Sequence, residues 1–147
     1  MKIRPAKTKS EIDFIISYWL DFYRKSSKFA RELAPSVYFK EHKGRASTAI
    51  KSGVALVLYD PQDPDFLIGF IVGVNAAHLG MDILHMVFIK EPFRGHGLGQ
   101  KLMKEFSSGG TKLIITHQGN ILGLRNSYKE LVYNPYYFFK LPLDNNR

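Results

Sequence analysis

The chain has 147 residues and a mass of 16.8 kDa, the size of one domain that buries roughly two thirds of its unfolded surface without covalent staples. A content of 45% apolar and 23% charged residues is that of a globular protein, and the absence of cysteine excludes a disulfide framework, a thiolate metal site and a cysteine nucleophile. The net charge of +8 is uneven: residues 1–52 carry 12 Lys or Arg against 5 Asp or Glu, and residues 53–147 carry 9 against 8. Such a basic lobe steers anionic partners such as nucleotides, nucleic acid or acidic protein, and a solubilising helical face has the same composition. The longest apolar runs, 54–59 and 66–74, are far short of the roughly 18 residues a membrane helix needs. The basic opening is followed by Asp13 and Asp21 with no small-residue cleavage site, so a single cytoplasmic domain over residues 1–147 is expected.

In chain order, a short strand is expected near residues 2–6, followed by Ser10 as a helix cap with Asp13 three residues on. The first helix then runs from Glu11 to about Arg24, with Ile12, Ile15, Ile16, Trp19, Leu20 and Tyr23 as its apolar stripe. Pro35 suits the first turn of a second helix carrying Val37, Tyr38 and Phe39, and residues 46–51 predict a further turn or two. From Gly53 the pattern becomes β-rich: residues 54–59 and 66–74 flank the turn-forming run Asp60-Pro61-Gln62-Asp63-Pro64-Asp65 and read as an antiparallel hairpin. Residues 82–89 form a further strand, 98–106 a helix with Leu98, Leu102 and Phe106 four apart, and 112–116 a short buried strand, a unit that requires a right-handed crossover between parallel neighbours. The tail predicts a turn at Gln118-Gly119-Asn120, a helix over 121–131 and an aromatic strand over 136–141 bracketed by Pro135 and Pro142. The fold class is mixed α/β (α+β).

Chemistry concentrates between the strand ending at Ile89 and the helix opening at Leu98, in Arg94-Gly95-His96-Gly97-Leu98-Gly99. Glycines let backbone approach an anion, and a new helix offers unsatisfied N–H groups and the positive end of its dipole. A Walker loop would end in Gly-Lys-Ser/Thr, whereas Gly99 is followed by Gln100-Lys101-Leu102, and the G-x-G-x-G spacing does not fit a dinucleotide fingerprint. Arg94-x-x-Gly97-x-Gly99 resembles the Q/R-x-x-G-x-G/A motif of the GNAT superfamily of N-acetyltransferases, and Val87-Phe88-Ile89-Lys90-Glu91-Pro92-Phe93 is similar to the strand exit before it, with the usual proline displaced by one. The order of elements matches that superfamily over nearly the whole chain.

The resemblance implies a mostly antiparallel sheet whose fourth and fifth strands are parallel and splay apart, flanked by helices. Acetyl-coenzyme A would lie in that opening, its pantetheine against the backbone of Val87, Phe88 and Ile89. The pyrophosphate would be cradled by N–H groups of Gly95, His96, Gly97, Leu98, Gly99 and Gln100, with Arg94 adding charge or fixing the loop. The backbone N–H of Phe88 or Ile89 would stabilise the oxyanion. The family pattern N-x-x-A-x-x-L-Y-E-K-x-G-F is similar to the segment from Asn120 to Tyr133, which is one residue longer between Asn120 and Tyr128 and has Val132 in place of the glycine. By that match Asn120 joins the cofactor-binding set, and Tyr128 is the candidate acid for the departing thiolate, with Tyr133 as its substitute.

A lysine amine, pKa about 10.4, is protonated at neutral pH, so acetyl transfer needs a route for a proton. His85 and His117, in the strands beside the expected cleft, are candidate bases, and a strand histidine is as readily a hydrogen-bonded structural residue. Glu91 is a further candidate in an exposed loop, while His42, His78 and His96 have no metal-ligand spacing. Arg24, Lys25, Lys28, Arg31, Lys40, Lys43, Arg45 and Lys51 fall on the two helices that form much of the acceptor wall in the resembling fold, interleaved with Tyr18, Trp19, Phe22, Tyr23, Tyr38 and Phe39. An anionic or nucleic-acid-linked amine is therefore a candidate acceptor. The segment Ser17-Tyr18-Trp19 to Arg24-Lys25-Ser26 is also similar to small phage-encoded members, which keeps nucleobase modification open, and a non-catalytic basic module that binds nucleic acid or protein is the alternative outside catalysis.

Overall fold

Thr8, two residues ahead of the expected cap, starts the first helix. In the computed structural model, which describes residues 1–26, 31–117 and 128–139, the Glu11 N–H donates to Thr8 Oγ1 at 3.2 Å and the Thr8 N–H to Glu11 Oε1 at 3.0 Å. This is a reciprocal capping box on Thr-x-x-Glu, which satisfies two orphan donors where Ser10 and Asp13 would satisfy one; Asp13 instead pairs with Lys9. Glu11 also accepts from Lys7 N and Arg4 Nε, tying helix α1 (Lys9–Ser26) to strand β1 (Lys2–Pro5). Burial alone would raise its pKa, but the N–H groups of Thr8 and Lys7, with Arg4, hold the carboxyl at about 2.

Helix α2 (Pro35–Ser52) is one continuous element with proline in its first turn, and it buries Tyr38, Ala46, Ala49 and Ile50. Strands β2 (Val54–Asp60) and β3 (Asp63–Ala76) form the expected hairpin around Pro61-Gln62, where Asp60 Oδ1 accepts the Gln62 N–H at 2.9 Å. Then follow β4 (Met81–Ile89), α3 (Leu98–Phe106), β5 (Lys112–Ile115), β6 (Glu130–Tyr133) and the short α4 (Tyr136–Phe139). The described strands make one sheet in chain order, antiparallel from β1 to β4 and parallel from β4 through β5 to β6. Helices α1 and α2 cover one face, packing Ile15, Trp19, Tyr38 and Ile50 on Val57, Phe70, Val72, Met86 and Phe88. Helix α3 covers the other with Leu102, Met103 and Phe106 on Ile71, Leu84, Leu113 and Ile115. A Cβ on Gly73 would lie 2.6 Å from Phe106 Cζ, so glycine is what lets the last turn of α3 rest on the sheet.

The tail departs from expectation. The aromatic run is not a strand: Pro135 presets a helical turn, Phe138 N–H donates to its carbonyl at 3.0 Å, and Phe138 is buried against the α1/α2 face. The strand lies earlier, at Glu130–Tyr133, where it pairs with β5. Of the helix expected over 121–131, residues 121–127 lie outside the described residues; Tyr128 and Lys129 are not helical, and the rest belongs to β6.

A single buried carboxylate ties these elements together. Asp82 on β4 is fully enclosed and accepts Ser108 N–H at 3.1 Å, Ser108 Oγ at 2.6 Å and Tyr128 OH at 2.8 Å. With its amide nitrogen turned inward, Asn75 of β3 adds a fourth bond to Asp82 and one to Phe106 O, both at 3.0 Å. Tyr128→Phe is therefore expected to lower stability by about 1–2 kcal/mol, and Asp82→Ala, which strands several donors at once, by about 3 kcal/mol or more in urea unfolding. An unchanged unfolding midpoint for both variants would refute the arrangement.

Candidate functional site

Strand β4 leaves the sheet into a tight loop. The Lys90 N–H donates to Ile68 O at 2.9 Å, residues Glu91–Phe93 make one 3-10 turn, and Arg94 Nε folds back onto Ile89 O at 2.7 Å with its guanidinium 5.5 Å from the Phe88 ring centre. Gly95 and Gly97 follow with φ of +85° and +77°, a region that favours glycine, and Gly97 caps α3. Gly99 differs: its φ is not positive, it stands in the first turn of a helix, and among the described residues nothing beyond its chain neighbours and its own helix backbone lies within 4 Å of where its Cβ would be. Nothing in the fold demands glycine there, whereas a ligand approaching the backbone would. In that turn Lys101 N–H donates to Gly97 O at 3.1 Å, while the N–H groups of Leu98 and Gly99, at the start of the helix, have no backbone acceptor among the described residues. The His96 ring is exposed, with Nδ1 3.3 Å from Phe93 O, and Gln100 closes the turn.

Beside this loop the sheet opens. Pairing of β4 with β5 covers Met81–Leu84 against Lys112–Ile115, ending where Thr116 N–H donates to Leu84 O at 3.0 Å. From His85 to Ile89, β4 has no β5 partner among the described residues. On its other side β4 pairs with β3, and the Lys90 to Ile68 bond fixes the alternation: Met86, Phe88 and Lys90 turn their backbone groups to β3, while Val87 and Ile89 turn theirs to the gap. Ile89 O is already taken by Arg94, so the exposed set is the N–H and C=O of Val87 and the N–H of Ile89. Phe88, expected among the cofactor contacts and as an oxyanion donor, instead has its backbone paired to β3 and its ring under Tyr18 and Phe22.

The gap begins at a β-bulge. Val72 opposes Met86 and Gly73 opposes Leu84, leaving His85 as the extra residue, so His85 and Met86 both face α1 and α2. His85 stacks on Trp19 at 6.2 Å, and His117, just past β5, meets Tyr23 at 4.6 Å and Phe138 at 4.6 Å. The two imidazoles share Thr116: its Oγ1 lies 2.8 Å from His85 Nδ1 and 2.9 Å from His117 Nδ1, and it donates to Leu84 O at 3.4 Å. A hydroxyl has one proton, so at least one of the two Nδ1 atoms donates to Thr116 Oγ1. His85 Nε2 is buried with no hydrogen-bond partner. Burial lowers His85 to about 4, and burial with His85 and His42 nearby lowers His117 to about 3, so both are neutral at pH 7.

The two candidate tyrosines separate. Tyr128 is buried on the α3 face with its hydroxyl on Asp82, at the paired end of β4, and burial pushes its phenol to about 12. Tyr133, 46% exposed, ends β6 level with Ile115, and burial and Tyr23 raise its pKa. Glu91 is exposed in the 3-10 turn, and Asn120 and Lys28 lie outside the described residues. Thr116 has no signal in the sequence: no local pattern ties it to His85, 31 residues away, until the parallel register sets Leu84 beside Ile115. On the basic lobe Arg24 donates to Leu33 O and packs over Tyr38, Lys25 pairs with Asp21, and Trp19 and Tyr38 are core, leaving Tyr18 and Phe39 as exposed rings. No helix among the described residues is long and apolar enough to cross a membrane.

No protein-family model and no curated protein matches the chain. Among solved structures it is similar to a protein from Pyrococcus furiosus assigned as an acetyl transferase, at 12% identity over 90% of this chain and 80% of that one, with a TM-score of 0.58. A second protein assigned as an acetyltransferase matches at 17% identity over 88% and 87% of the two chains, with a TM-score of 0.52. A Klebsiella pneumoniae protein assigned as an acyl-CoA N-acyltransferase is 23% identical over 71% of this chain, which spans 59% of its length, with a TM-score of 0.44. The chain has the GNAT fold: a mixed sheet, antiparallel through β4, with β4 and β5 parallel, between flanking helices.

Keeping two imidazoles neutral in the core makes stability depend on pH. Unfolded imidazoles titrate near 6.5 and the folded ones well below, so this contribution is fully present above pH 6.5 and is lost as pH falls from there toward 4. Between pH 7 and 5 the unfolding free energy should drop by about 2 kcal/mol per histidine, and His117→Gln should remove roughly half of that slope. A midpoint flat over this range would contradict the burial of both rings.

Proposed function

We propose that the protein is an acetyl-CoA-dependent N-acetyltransferase, a single domain over residues 1–147 that carries an acetyl group to an amine by direct attack in a ternary complex. The observation that supports it most is the conjunction, at one end of β4, of unpaired strand groups at Val87 and Ile89 with a glycine loop whose Cβ directions at Gly95, Gly97 and Gly99 are empty. Pantetheine amides fit the former as a strand partner would, and a pyrophosphate fits the latter at the N-terminus of α3. When bound, acetyl-CoA supplies the activated acetyl thioester.

The chain's own residues then have distinct tasks. The Ile89 or Val87 N–H donates to the developing oxyanion. Arg94, engaged with Ile89 O, holds strand end and loop together more than it neutralises phosphate. Tyr133 replaces Tyr128 as the phenol able to protonate the thiolate, since the Tyr128 hydroxyl is committed to Asp82. His85 and His117 line the acceptor side. An enzyme that draws on the acetyl-CoA pool fits a cytoplasmic location. A second reading, a non-catalytic module that binds nucleic acid through the basic lobe, is favoured by exposed Lys40 and Lys43 on α2; acetyl-CoA binding with thioester turnover separates the two.

Acetyl-CoA at a hundredfold excess over its dissociation constant should stabilise the fold by about 2.7 kcal/mol, a rise in Tm of roughly 5–10 °C. Gly99→Glu is the sharper probe. It replaces a poor helix former at an open helical position and sets a carboxylate at the helix N-terminus, so the unliganded Tm should hold or rise while the ligand shift disappears. A wild-type ligand shift in Gly99→Glu would remove the loop from the binding site.

A further inference from the structure

Arg94 carries its charge to the face of the sheet opposite α3. Its Nε donates to Ile89 O at 2.7 Å, and its Cζ lies 5.5 Å from the ring centre of Phe88, which packs under α1 with Tyr18 at 5.0 Å and Phe22 at 6.0 Å. Helix α3, capped by Gly97, packs on the other face through Leu98, Leu102 and Phe106. The guanidinium thus stands on the α1 side of the strand end, and with Nε spent on the strand its Nη groups are what it offers to a ligand.

A second cation stands on the same face. Lys90 Nζ lies 4.9 Å from the ring centre of Phe66, 5.3 Å from that of Phe14 and 5.6 Å from that of Tyr18, and Tyr18 in turn packs on Phe88 beneath Arg94. Tyr18 and Phe66 are 36% and 39% exposed and Arg94 is exposed, so a solute reaches this surface without any opening of the core. Positive charge beside open aromatic rings complements an anion attached to a flat ring.

The place of Arg94 also sets a spacing. The N–H and C=O of Ile89 both turn to the gap: the first is an oxyanion donor in the reading above, and the second holds the guanidinium. An anion bound by Arg94 is therefore about one residue's length from the carbon under attack, and must be carried within a few bonds of the attacking nitrogen. Resting on the acetyltransferase reading, we propose that the acceptor is an aromatic α-amino acid, its carboxylate held by Arg94 with Lys90 nearby and its ring laid on Tyr18. The ammonium first loses its third proton to solvent. The neutral nitrogen then attacks the thioester carbonyl carbon, the C–N bond forms and the C–S bond breaks, and one of the two remaining amine protons ends on sulfur, giving the N-acetyl amino acid and the free thiol.

Phenylalanine, phenethylamine and phenylalanine amide share a ring and a primary amine, and only the first has a carboxylate. Its amine is less basic than that of phenethylamine and more basic than that of the amide, so a preference for it over both cannot come from basicity. The full chain with acetyl-CoA is assayed for coenzyme A release and acetylated product, with the acetyl-CoA melting shift measured in the same samples. The expected kcat/KM for phenylalanine is about tenfold or more above that of either other probe. In Arg94→Gln this ratio should fall about tenfold, whereas damage to the loop or to cofactor binding would lower all three rates alike. In Lys90→Met, which keeps an apolar stem over the rings, the ratio should fall severalfold while the melting shift stays at the wild-type value. Equal or better use of either carboxylate-free probe, a ratio unchanged in Arg94→Gln, or acetylation of none of the three overturns the proposal. So does a Lys90→Met protein that keeps the ratio and loses the melting shift, which would give that charge to the phosphates of the cofactor. In each of these cases a wild-type melting shift leaves the acetyltransferase reading standing, and its absence removes both.

Discussion

A carboxylate sealed from water must receive its hydrogen bonds from the protein, and the four that Asp82 receives come from β3, from the chain just after α3 and from the residue that leads into β6. Each of those elements is placed by reaching the same two oxygens. Because Asp82 lies near the start of β4, the bonds hold together the end where β4 and β5 are paired. Gly73 completes the arrangement by letting Phe106 down onto the sheet, which brings the end of α3 within reach of Asn75. The opening at the far end of β4 is thus the counterpart of a tight closure at the near end, and the bulge at His85 marks the change from one to the other.

How far the sequence could be read depended on the range of the interaction involved. The stripe of Ile15, Trp19 and Leu20, the hairpin around Pro61-Gln62 and the glycine loop are local patterns, and the structure contains all three. The helix start was misplaced by two residues because Ser-x-x-Asp and Thr-x-x-Glu compete within one stretch, and the longer glutamate closes the reciprocal box. The aromatic tail was misread because strand propensity and a proline-initiated turn point opposite ways, and burial of Phe138 decides for the turn. Phe88 and Ile89 are neighbours with the same apolar character, and only the register against β3 tells which one faces the gap. The Thr116 bridge and the Tyr128 to Asp82 bond join residues 31 and 46 apart and depend on the parallel pairing, which no local pattern encodes.

The electrostatics divide in the same way. The basic residues of the first third that fall on α1 and α2 include Lys25, which pairs with Asp21, and Lys40 and Lys43, which meet solvent. The inner faces of the same helices are aromatic and enclose uncharged imidazoles. Net charge therefore describes what the molecule meets at a distance, and says nothing of the uncharged interior that these helices cover.

An interior break in a sheet is a hazard as well as an opening, since unpaired strand groups invite a strand from another molecule and the association that follows. Here the stretch of β4 with no β5 partner among the described residues runs from His85 to Ile89, starts at a bulge and ends where the Arg94 side chain covers the Ile89 carbonyl. Among the described residues that leaves few outward groups, those of Val87 and Ile89, for a foreign β-strand to register against. By folding back on Ile89, Arg94 sets the length of that edge and takes up an acceptor that a second molecule would otherwise pair with.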